Sequence, residues 1–236
     1  MRILAFDSTA TAASVAVVEE NKIIGEFFIN TKLTHSQTLL PMAESLLYNT
    51  QLSVNDIDAF AVNAGPGSFT GVRIGVAAVK GMAMALNKSC VAVSTLESMA
   101  YNLKHTDCTA ICVMDARCDQ VYNANFKISG GNIQRLCEDR AISIDELTEE
   151  LKGFNDRFIL VGDGSMLCYE KMQDKLPAIE LASESLRYQN AVSTAFIALD
   201  LYKSGKFVSA SELMPYYLRM PQAERELKKR KENEKK

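Results

Sequence analysis

The sequence predicts an α/β protein of two similar lobes, each with the strand and helix order β-β-β-α-β-α. Two observations support this prediction. Apolar segments with strand and helix periodicity follow that order over the first hundred residues, and the same order restarts near residue 106. The chain also has 236 residues, of which 47% are hydrophobic. A chain of this length and composition buries a substantial core without disulfides or metal.

The first lobe, residues 1–105, begins with three short apolar runs separated by turns, which predict an antiparallel meander. The period then changes to that of a helix whose leucines share one face, with Thr34 or Ser36 as its cap. Strands and apolar helices alternate in the rest of the lobe. The predicted strands are 2–7, 13–18, 23–29, 59–63 and 90–93, and the predicted helices are 34–49, 72–86 and 95–103.

The second lobe, residues 106–219, repeats this order with negligible sequence identity. Ser143 and Glu146 form an S-x-x-E capping box at the start of one of its helices. The predicted strands are 110–114, 120–128, 132–142 and 158–161, and the predicted helices are 143–152, 165–173 and 191–201. A doubled unit of this order is typical of two ribonuclease-H-like lobes of the actin, sugar-kinase and Hsp70 (ASKHA) type.

The charge is divided unevenly along the chain. The formal net charge is −3, which argues against a chain built mainly to bind nucleic acid. The basic tail, residues 220–236, differs from the rest. It carries seven basic and three acidic residues between Arg225 and Lys236, which leaves the other residues with a net charge of −7. Two interpretations of the tail stay open: a contact with RNA phosphate, or a solvated end.

The cysteines and apolar segments indicate the compartment. Six scattered cysteines contain no C-x-x-C pair, and only two histidines accompany them, so a zinc site is not expected. Asp7 interrupts the segment where a secretory signal would have its apolar core, and no run of eighteen uncharged apolar residues is present. We expect a cytoplasmic protein with reduced cysteines that does not span a membrane.

A glycine-rich loop, residues 65–71, precedes the second predicted helix. Gly65, Gly67 and Gly71 permit positive φ, and Ser68 lies between them. Backbone N–H groups at a helix N-terminus can hold a phosphate or a carboxylate, which is the functional interpretation. The structural interpretation is a tight turn whose glycines let helix and sheet pack closely. The loop lacks the Lys-Ser/Thr pair of a Walker A motif.

The two predicted hairpins at Asp7 and Asp115 are weaker candidates for an anion or nucleotide site. Asp7 and Ser8 stand where actin-like ATPases use a carboxylate to hold a metal-bound nucleotide, although such side chains commonly bond the turn itself. A hairpin that cradles phosphate would carry glycine and hydroxyl residues after Asp115, whereas this one carries the bulky Arg117. The Gly-Asp-Gly loop at 162–164 could face an adenosine.

The first two helices of the first lobe are more apolar than a single buried face requires. In the second helix, Ala77, Gly81 and Ala85 form a stripe of small side chains that would let another helix approach closely. Internal packing and a subunit interface explain the excess equally well. His35 is interpreted as a cap or a polar interface residue. The candidate interface residues are His35, Leu39, Leu40, Ala43, Leu46, Leu47, Val72, Gly75, Ala77, Gly81 and Ala85.

Several segments together resemble a known family. The most specific is residues 63–75, NAGPGSFTGVRIG, and the others corroborate it in order along the chain. These are residues 3–8, 13–18, 35–41, 114–117, 120–122, 162–164 and 215–219. Over about residues 1 to 219, the sequence resembles the TsaB family, also called YeaZ, of the bacterial tRNA threonylcarbamoyladenosine machinery.

The resemblance implies a fold related to the catalytic subunit TsaD. It implies a role in placing the threonylcarbamoyl group on N6 of adenosine 37, in tRNAs that read codons beginning with A. It also implies a TsaD-like partner docked on the first two helices, a TsaE-like ATPase that joins them, and a homodimer when the chain is alone. The tRNA would be contacted mostly through the partner.

The resemblance further implies a chain with no catalytic residue, metal or cofactor of its own, in a complex that uses ATP. The TsaD family binds metal through an H-x-x-x-H motif, and by position Thr95 and Met99 stand there in this chain. Neither side chain replaces an imidazole. The main alternative is an ATP-dependent phosphotransferase or ATPase of the same fold.

Overall fold

The computed structural model describes residues 1–154 and 156–219, so the predicted basic tail, residues 220–236, lies outside the described residues. The strands are β1 (Arg2–Asp7), β2 (Ala12–Glu19), β3 (Lys22–Asn30), β4 (Ala59–Gly65), β5 (Ser89–Ser94), β6 (Cys108–Asp115), β7 (Gln120–Ser129), β8 (Asn132–Arg135), β9 (Arg140–Ser143), β10 (Phe158–Val161) and β11 (Ile179–Leu181). The helices are α1 (His35–Asn49), α2 (Phe69–Leu86), α3 (Thr95–Tyr101), α4 (Ile144–Leu151), α5 (Ser165–Met172), α6 (Glu184–Arg187) and α7 (Ala191–Lys203).

These strands form two mixed sheets. The first sheet has the order β3-β2-β1-β4-β5, with an antiparallel meander β1–β2–β3 and parallel β1–β4 and β4–β5 pairs. The second has the order β11-β10-β6-β7-β8, with β9 also paired to β7. In it, β6 and β7 are antiparallel, and β10 is parallel to β6 and β11. The predicted two-lobed α/β fold of the ASKHA type is confirmed.

Strand β1 shows how the first sheet is covered on both faces. Leu4 and Phe6 belong to a core shared with α1 and α2, whereas Ile3 and Ala5 belong to a core shared with α7. The period of two along a strand separates the two sets, and all four side chains are fully buried. A strand covered on both faces reads in sequence as a continuous apolar run, as β1 does.

One helix from each lobe packs on the sheet of the other lobe. Helix α3 follows the strands of the first sheet in sequence, but its Leu96 and Met99 pack on the second sheet. Helix α7 follows the strands of the second sheet, but its Ala195 and Ala198 pack on the first sheet. The layers are therefore α1 with α2, the first sheet, α7 with α3, the second sheet, and α4 with α5.

The predicted lobe boundaries, 1–105 and 106–219, are therefore wrong for the end of the chain. Besides α7, the segment after it returns to the first lobe. Val208 pairs with Cys90 at the edge strand β5, and Leu213 is buried in the core of α1 and α2. Sequence order placed these residues with the second lobe, whereas α7 buries the inner face of the first sheet and Leu213 packs into the core on its other face, with α1 and α2.

The remaining differences from the predicted elements are local. Helix α2 starts earlier than predicted, because Ser68 caps it. The strand predicted at 132–142 is divided into β8 and β9. The predicted capping box is confirmed: the N–H of Glu146 donates to Ser143 Oγ at 3.2 Å, and the Glu146 carboxylate accepts from the Ser143 N–H at 3.1 Å.

Helix α2 has the length and apolar composition of a membrane-spanning helix, a test that the core helix of a soluble protein also passes. One side of α2 is buried against the first sheet through Val72, Val76, Val79 and Ala83. The core thus accounts for the apolar residues on the inward side of α2. Ala77, Met84 and Ala85, on its outward side, are exposed.

Candidate functional site

A cleft of about 530 Å³ separates the lobes at the carboxyl ends of β1, β4, β6 and β10. Ligands of α/β sheets bind at this end of the strands, which makes the cleft the first candidate site. The lining residues are Thr9, Ala10, Thr11, Pro66, Gly67, Ser68, Phe69, Thr70, Met114, Asp115, Ala116, Arg117, Tyr122, Asp163, Tyr216, Tyr217, Leu218 and Arg219. Of the predicted anion-loop residues, Gly67, Ser68 and Asp115 line the cleft. Asp7, Ser8, Gly65 and Gly71 do not.

The carboxylate of Asp7 is used inside the first lobe. It accepts hydrogen bonds from the Asn63 amide, from the Thr9 N–H at 3.2 Å and from Thr9 Oγ1 at 3.1 Å. Burial raises the pKa of Asp7, against the opposing effect of these hydrogen bonds and of His35. Asp7 therefore fastens the turn after β1 to the end of β4, which matches the structural interpretation of this motif.

The glycine loop permits a close approach between α2 and the turn after β1. A Cβ on Gly71 would lie 2.0 Å from the Ser8 carbonyl oxygen, and one on Gly67 would lie 2.5 Å from the Thr9 carbonyl oxygen. The Ser68 N–H already donates to that Thr9 oxygen at 2.6 Å. Close packing of helix and sheet is what this geometry achieves. The anion-binding role of the loop stays a prediction.

The hairpin between β6 and β7 has a strained tip. Arg117, Cys118 and Asp119 have φ of 64°, 56° and 56°, a left-handed conformation that costs about 1–2 kcal/mol for each non-glycine residue. Asp115 accepts from the Arg117 N–H at 2.7 Å, and Asp119 pairs with Lys171 at 2.6 Å. Side chains, rather than the open backbone of a glycine hairpin, therefore form this wall of the cleft.

Asp163 lines the cleft, and its pKa is strongly shifted. Burial, and then the negative charges of Asp115 and Asp7, raise its pKa to about 7, although the Gln189 amide donates to it at 3.4 Å. The Gly-Asp-Gly loop at 162–164 carries Asp163 to the cleft. The loop packs closely on β6, because a Cβ on Gly162 would lie 2.0 Å from the Val113 carbonyl oxygen. The loop thus lies directly against β6.

The two positions that the resemblance equates with the metal-binding histidines of the TsaD family do not fit a metal here. Thr95 and Met99 are fully buried, and the Met99 sulfur would lie 2.8 Å from a Cβ on Gly162. The Thr95 hydroxyl has no hydrogen-bond partner among the described residues. A hydroxyl and a thioether are not a ligand set for such a site. Across residues 1–154 and 156–219, no group of three His, Cys, Asp or Glu side chains could hold a metal ion.

A segment that we call the strap, residues 213–219, crosses the mouth of the cleft. The Tyr216 N–H donates to the Ala64 carbonyl at 2.7 Å, and Tyr217 stacks on Phe69 at 4.6 Å between ring centroids. At its end, Arg219 donates to the Ala116 carbonyl at 2.9 Å and to the Gln120 side chain. The strap therefore ties the start of α2 to the hairpin of the second lobe.

No local pattern in the sequence singles out the strap. An irregular segment has no hydrophobic period, so the only signal in the sequence was the family motif at 215–219. Its position depends on contacts between residues far apart in sequence, such as Arg219 with Ala116. Such contacts follow from the assembled fold alone.

Five of the predicted interface residues are not on the surface. Their side chains lie in the first lobe's own core or against the turn after β1, so they cannot contact a partner, and their assignment to the interface is corrected. These residues are Leu39, Ala43, Leu46, Val72 and Gly75. The physical reason is that α1 and α2 each need one full apolar face to cover the sheet, and these residues supply it.

Other predicted interface residues form the outward surface of α1 and α2. Leu40 is 49% exposed, and Ala77, Gly81 and Ala85 are exposed, with nothing within 4 Å of a Cβ placed on Gly81. The predicted residues Leu47 and His35 are partly buried. The Nε2–H of His35 donates to the Ala10 carbonyl at 2.6 Å, so His35 fastens α1 to the first hairpin.

Comparisons with known proteins match a TsaD family model and curated TsaB proteins. Residues 22–217 match the family described as "TsaD: tRNA N6-adenosine threonylcarbamoyltransferase". The chain is 30% identical to the tRNA threonylcarbamoyladenosine biosynthesis protein TsaB of Bacillus subtilis (strain 168), over 95% of this chain and 96% of that protein. It is 31% identical to TsaB of Escherichia coli (strain K12), over 93% and 95%.

Two solved structures from Pseudomonas aeruginosa share the fold. One is an uncharacterised protein with similarity to peptidase YeaZ, with a TM-score of 0.80 at 27% identity, over 92% of this chain and 99% of that chain. The other is YeaZ, with a TM-score of 0.75 at 25% identity over the same shares. The likeness thus extends over nearly the whole length of each chain.

Proposed function

Because the chain belongs to the TsaB (YeaZ) family of tRNA threonylcarbamoyladenosine biosynthesis proteins, we propose that it is a non-catalytic scaffold subunit of that pathway. It binds and activates a TsaD-like catalytic subunit, and it helps to recruit a TsaE-like ATPase. The modification is the N6-threonylcarbamoyl group at adenosine 37 of tRNAs that read codons beginning with A.

The observation that carries the proposal is the outward surface of α1 and α2. It joins an exposed leucine, Leu40, to an exposed stripe of small residues on α2. Large apolar side chains and glycine or alanine positions, placed side by side, let a second pair of helices pack closely. In the absence of the partner, the same surface supports a homodimer, because exposed leucine-sized side chains favour burial by about 1.5–3 kcal/mol each.

The residues at the cleft and in the lobes behind it support a subunit without its own active site. Asp7 is buried and hydrogen-bonded within its lobe, and the second hairpin is bulky. Thr95 and Met99, which the resemblance places at the metal-binding positions of the TsaD family, are fully buried and carry no imidazole. We therefore propose that the chain alone binds no cofactor and that ATP is used by the complex. The tRNA is then contacted mostly through the partner. The six free cysteines agree with a cytoplasmic location.

The experiment replaces Gly81 with arginine. A buried, unpaired guanidinium in the interface costs more than about 2 kcal/mol, so Gly81→Arg weakens binding of the TsaD-like subunit at least about 30-fold and lowers tRNA modification in a reconstituted assay. Gly153→Arg, at an exposed glycine of the second lobe with ordinary contacts, is the matched control. Unchanged binding and unchanged modification with Gly81→Arg would contradict the docking surface.

The alternative function, an ATP-dependent phosphotransferase or ATPase, has one favourable observation. Asp7 and Asp115 are the last residues of β1 and β6, the strands that enter the two hairpins beside the cleft, and Asp115 lines it. Calorimetry with Mg-ATP on the isolated chain separates the two functions. Micromolar binding accompanied by turnover would overturn the scaffold proposal.

A further inference from the structure

The strap is anchored on the first lobe along most of its length. Leu213 is 1% exposed in the core of α1 and α2, and Lys80 Nζ donates to its carbonyl at 2.9 Å. Arg73 Nε donates to Tyr217 Oη at 2.8 Å, beside the Tyr216 hydrogen bond and the Tyr217 stacking described above. A buried side chain, backbone groups and an aromatic ring thus hold the strap there, so the strap is a part of the first lobe.

Arg219 fastens the strap to the second lobe. Its guanidinium donates to the Ala116 carbonyl at 2.9 Å and to the Gln120 side chain, both in the hairpin between β6 and β7. Among residues 1–154 and 156–219, no other hydrogen bond joins the strap or the first-lobe lining of the cleft to the second-lobe lining. The hydrogen bonds across the mouth of the cleft therefore come from one side chain.

Other contacts hold the two lobes together without the strap. Ser94 Oγ, at the end of β5, donates to Asp139 of the second lobe at 2.6 Å. Arg135 of the second lobe donates to Glu97 of α3 at 3.3 Å, and none of these four residues lines the cleft. Ala10 of the first hairpin packs into the core of the second sheet. The lobes stay joined at these points when the mouth is released, which is the arrangement of a hinge.

The contact made by Arg219 is the weakest of these connections. Its side chain is half-buried and both of its acceptors are uncharged, so water replaces its hydrogen bonds at little cost in free energy. Parts of a fold that are held by a few solvent-accessible hydrogen bonds open locally at a small fraction of the free energy of global unfolding. The mouth of the cleft is therefore expected to open before the cores of the two lobes do.

We infer that the strap is a latch: it moves with the first lobe, and the hydrogen bonds of Arg219 to the second hairpin keep the cleft narrow. When these bonds break, the hairpin moves away from the strap and the cleft widens. The strap stays on the first lobe, because Leu213 is buried there and Tyr217 is stacked on Phe69. The latch controls the access of small molecules to the cleft, and it does not depend on the scaffold function.

Tryptophan fluorescence provides the test, because the chain contains no tryptophan. Tyr122→Trp, on β7, places a single probe in the lining of the cleft. Acrylamide quenching of this probe in the full chain measures how open the cleft is. In this background, Arg219→Ala is expected to raise the quenching constant at least about twofold, because the loss of its hydrogen bonds shifts the equilibrium towards the open cleft.

Two further variants in the same background test the assignment to Arg219. Gln120→Ala removes one acceptor and leaves the bond to Ala116, so a smaller increase in the quenching constant is expected. Arg157→Ala is the matched control, because Arg157 makes its two hydrogen bonds to Glu180 within the second lobe. It is expected to leave the quenching constant unchanged. Thermal unfolding verifies that each variant retains the fold.

Hydrogen exchange of the chain without the probe shows which part moves. The Tyr216 N–H, which donates to the Ala64 carbonyl, is expected to stay protected from exchange in Arg219→Ala, because the strap remains on the first lobe. Loss of this protection would show that the strap lifts as a whole. Unchanged quenching in Arg219→Ala would show that Arg219 does not keep the cleft narrow. Either result would overturn the inference.

Discussion

Two glycines of helix α2 provide a paired test of how this helix is used. Gly71, at its buried end, faces the turn after β1, whereas Gly81, ten residues further along, faces outward. The same change, glycine to alanine, adds one methyl group at each. Because one position is closed and the other is open, we expect opposite effects on the free energy of unfolding.

The magnitudes follow from the distances. A Cβ at Gly71 would lie 2.0 Å from the Ser8 carbonyl oxygen, a backbone atom that cannot move alone. Overpacking of this kind costs typically about 1–3 kcal/mol, and we expect the upper end because helix and turn must separate. At Gly81 a Cβ meets nothing within 4 Å. There alanine gains about 1 kcal/mol from its higher helix propensity.

Urea unfolding followed by circular dichroism measures both variants against the unchanged chain. Gly71→Ala is expected to lose about 3 kcal/mol and Gly81→Ala to gain up to about 1 kcal/mol, a shift of about 2–4 °C in Tm per kcal/mol for a chain of this size. Equal stability of the two variants would refute the reasoning. Gly71 would then not be required for close packing, and the anion-binding interpretation of the loop would gain weight.

Two further predictions concern the cleft and α1. The carboxyl of Asp163 is expected to titrate near pH 7 by ¹³C NMR, and Asp115→Asn to lower its midpoint by removing a nearby negative charge. Because the pKa of Asp163 in the folded chain is raised above 3.8, its contribution to the free energy of unfolding is present at pH 4 and is lost as the pH rises through 7. A free energy of unfolding that does not change with pH over this range, or that changes in the same way in Asp163→Asn, would contradict this prediction. On α1, Leu39→Ala is expected to cost about 2–5 kcal/mol and Leu40→Ala less than about 0.5 kcal/mol by urea unfolding, since Leu39 is 1% and Leu40 49% exposed. Similar costs would show that the inward face of α1 is assigned wrongly.

The sequence was sufficient for most of the elements because local rules determine them, although β11 and α6 were not predicted. The capping box of Ser143 and Glu146 and the meander of the first three strands depend on neighbours a few residues apart. Which face of α1 is buried does not depend on such near neighbours. Leu39 and Leu40 are both leucines of an apolar helix, and only the position of the sheet makes one of them core and the other surface.

The same limit explains the errors in the lobe boundaries and in the site. That α7 covers the first sheet follows from which apolar face is uncovered, a property of the folded chain rather than of any window of sequence. The cleft residues were predicted in part, through Gly67, Ser68 and Asp115, because glycine loops and strand ends leave local signals. The strap leaves no such signal apart from the family motif, since its place depends on contacts with Arg73, Lys80 and the second hairpin.

The exchange of helices has a consequence for how the protein is synthesised. The inner face of the first sheet includes Ile3, Ala5 and Val91, and the helix that covers it is the last one in the described chain. The earliest strands therefore leave the ribosome long before α7 and expose apolar surface until α7 has been synthesised. Domains that fold as separate units can begin at the N-terminus during translation. Here the first sheet must wait for α7, so the two lobes constitute one folding unit.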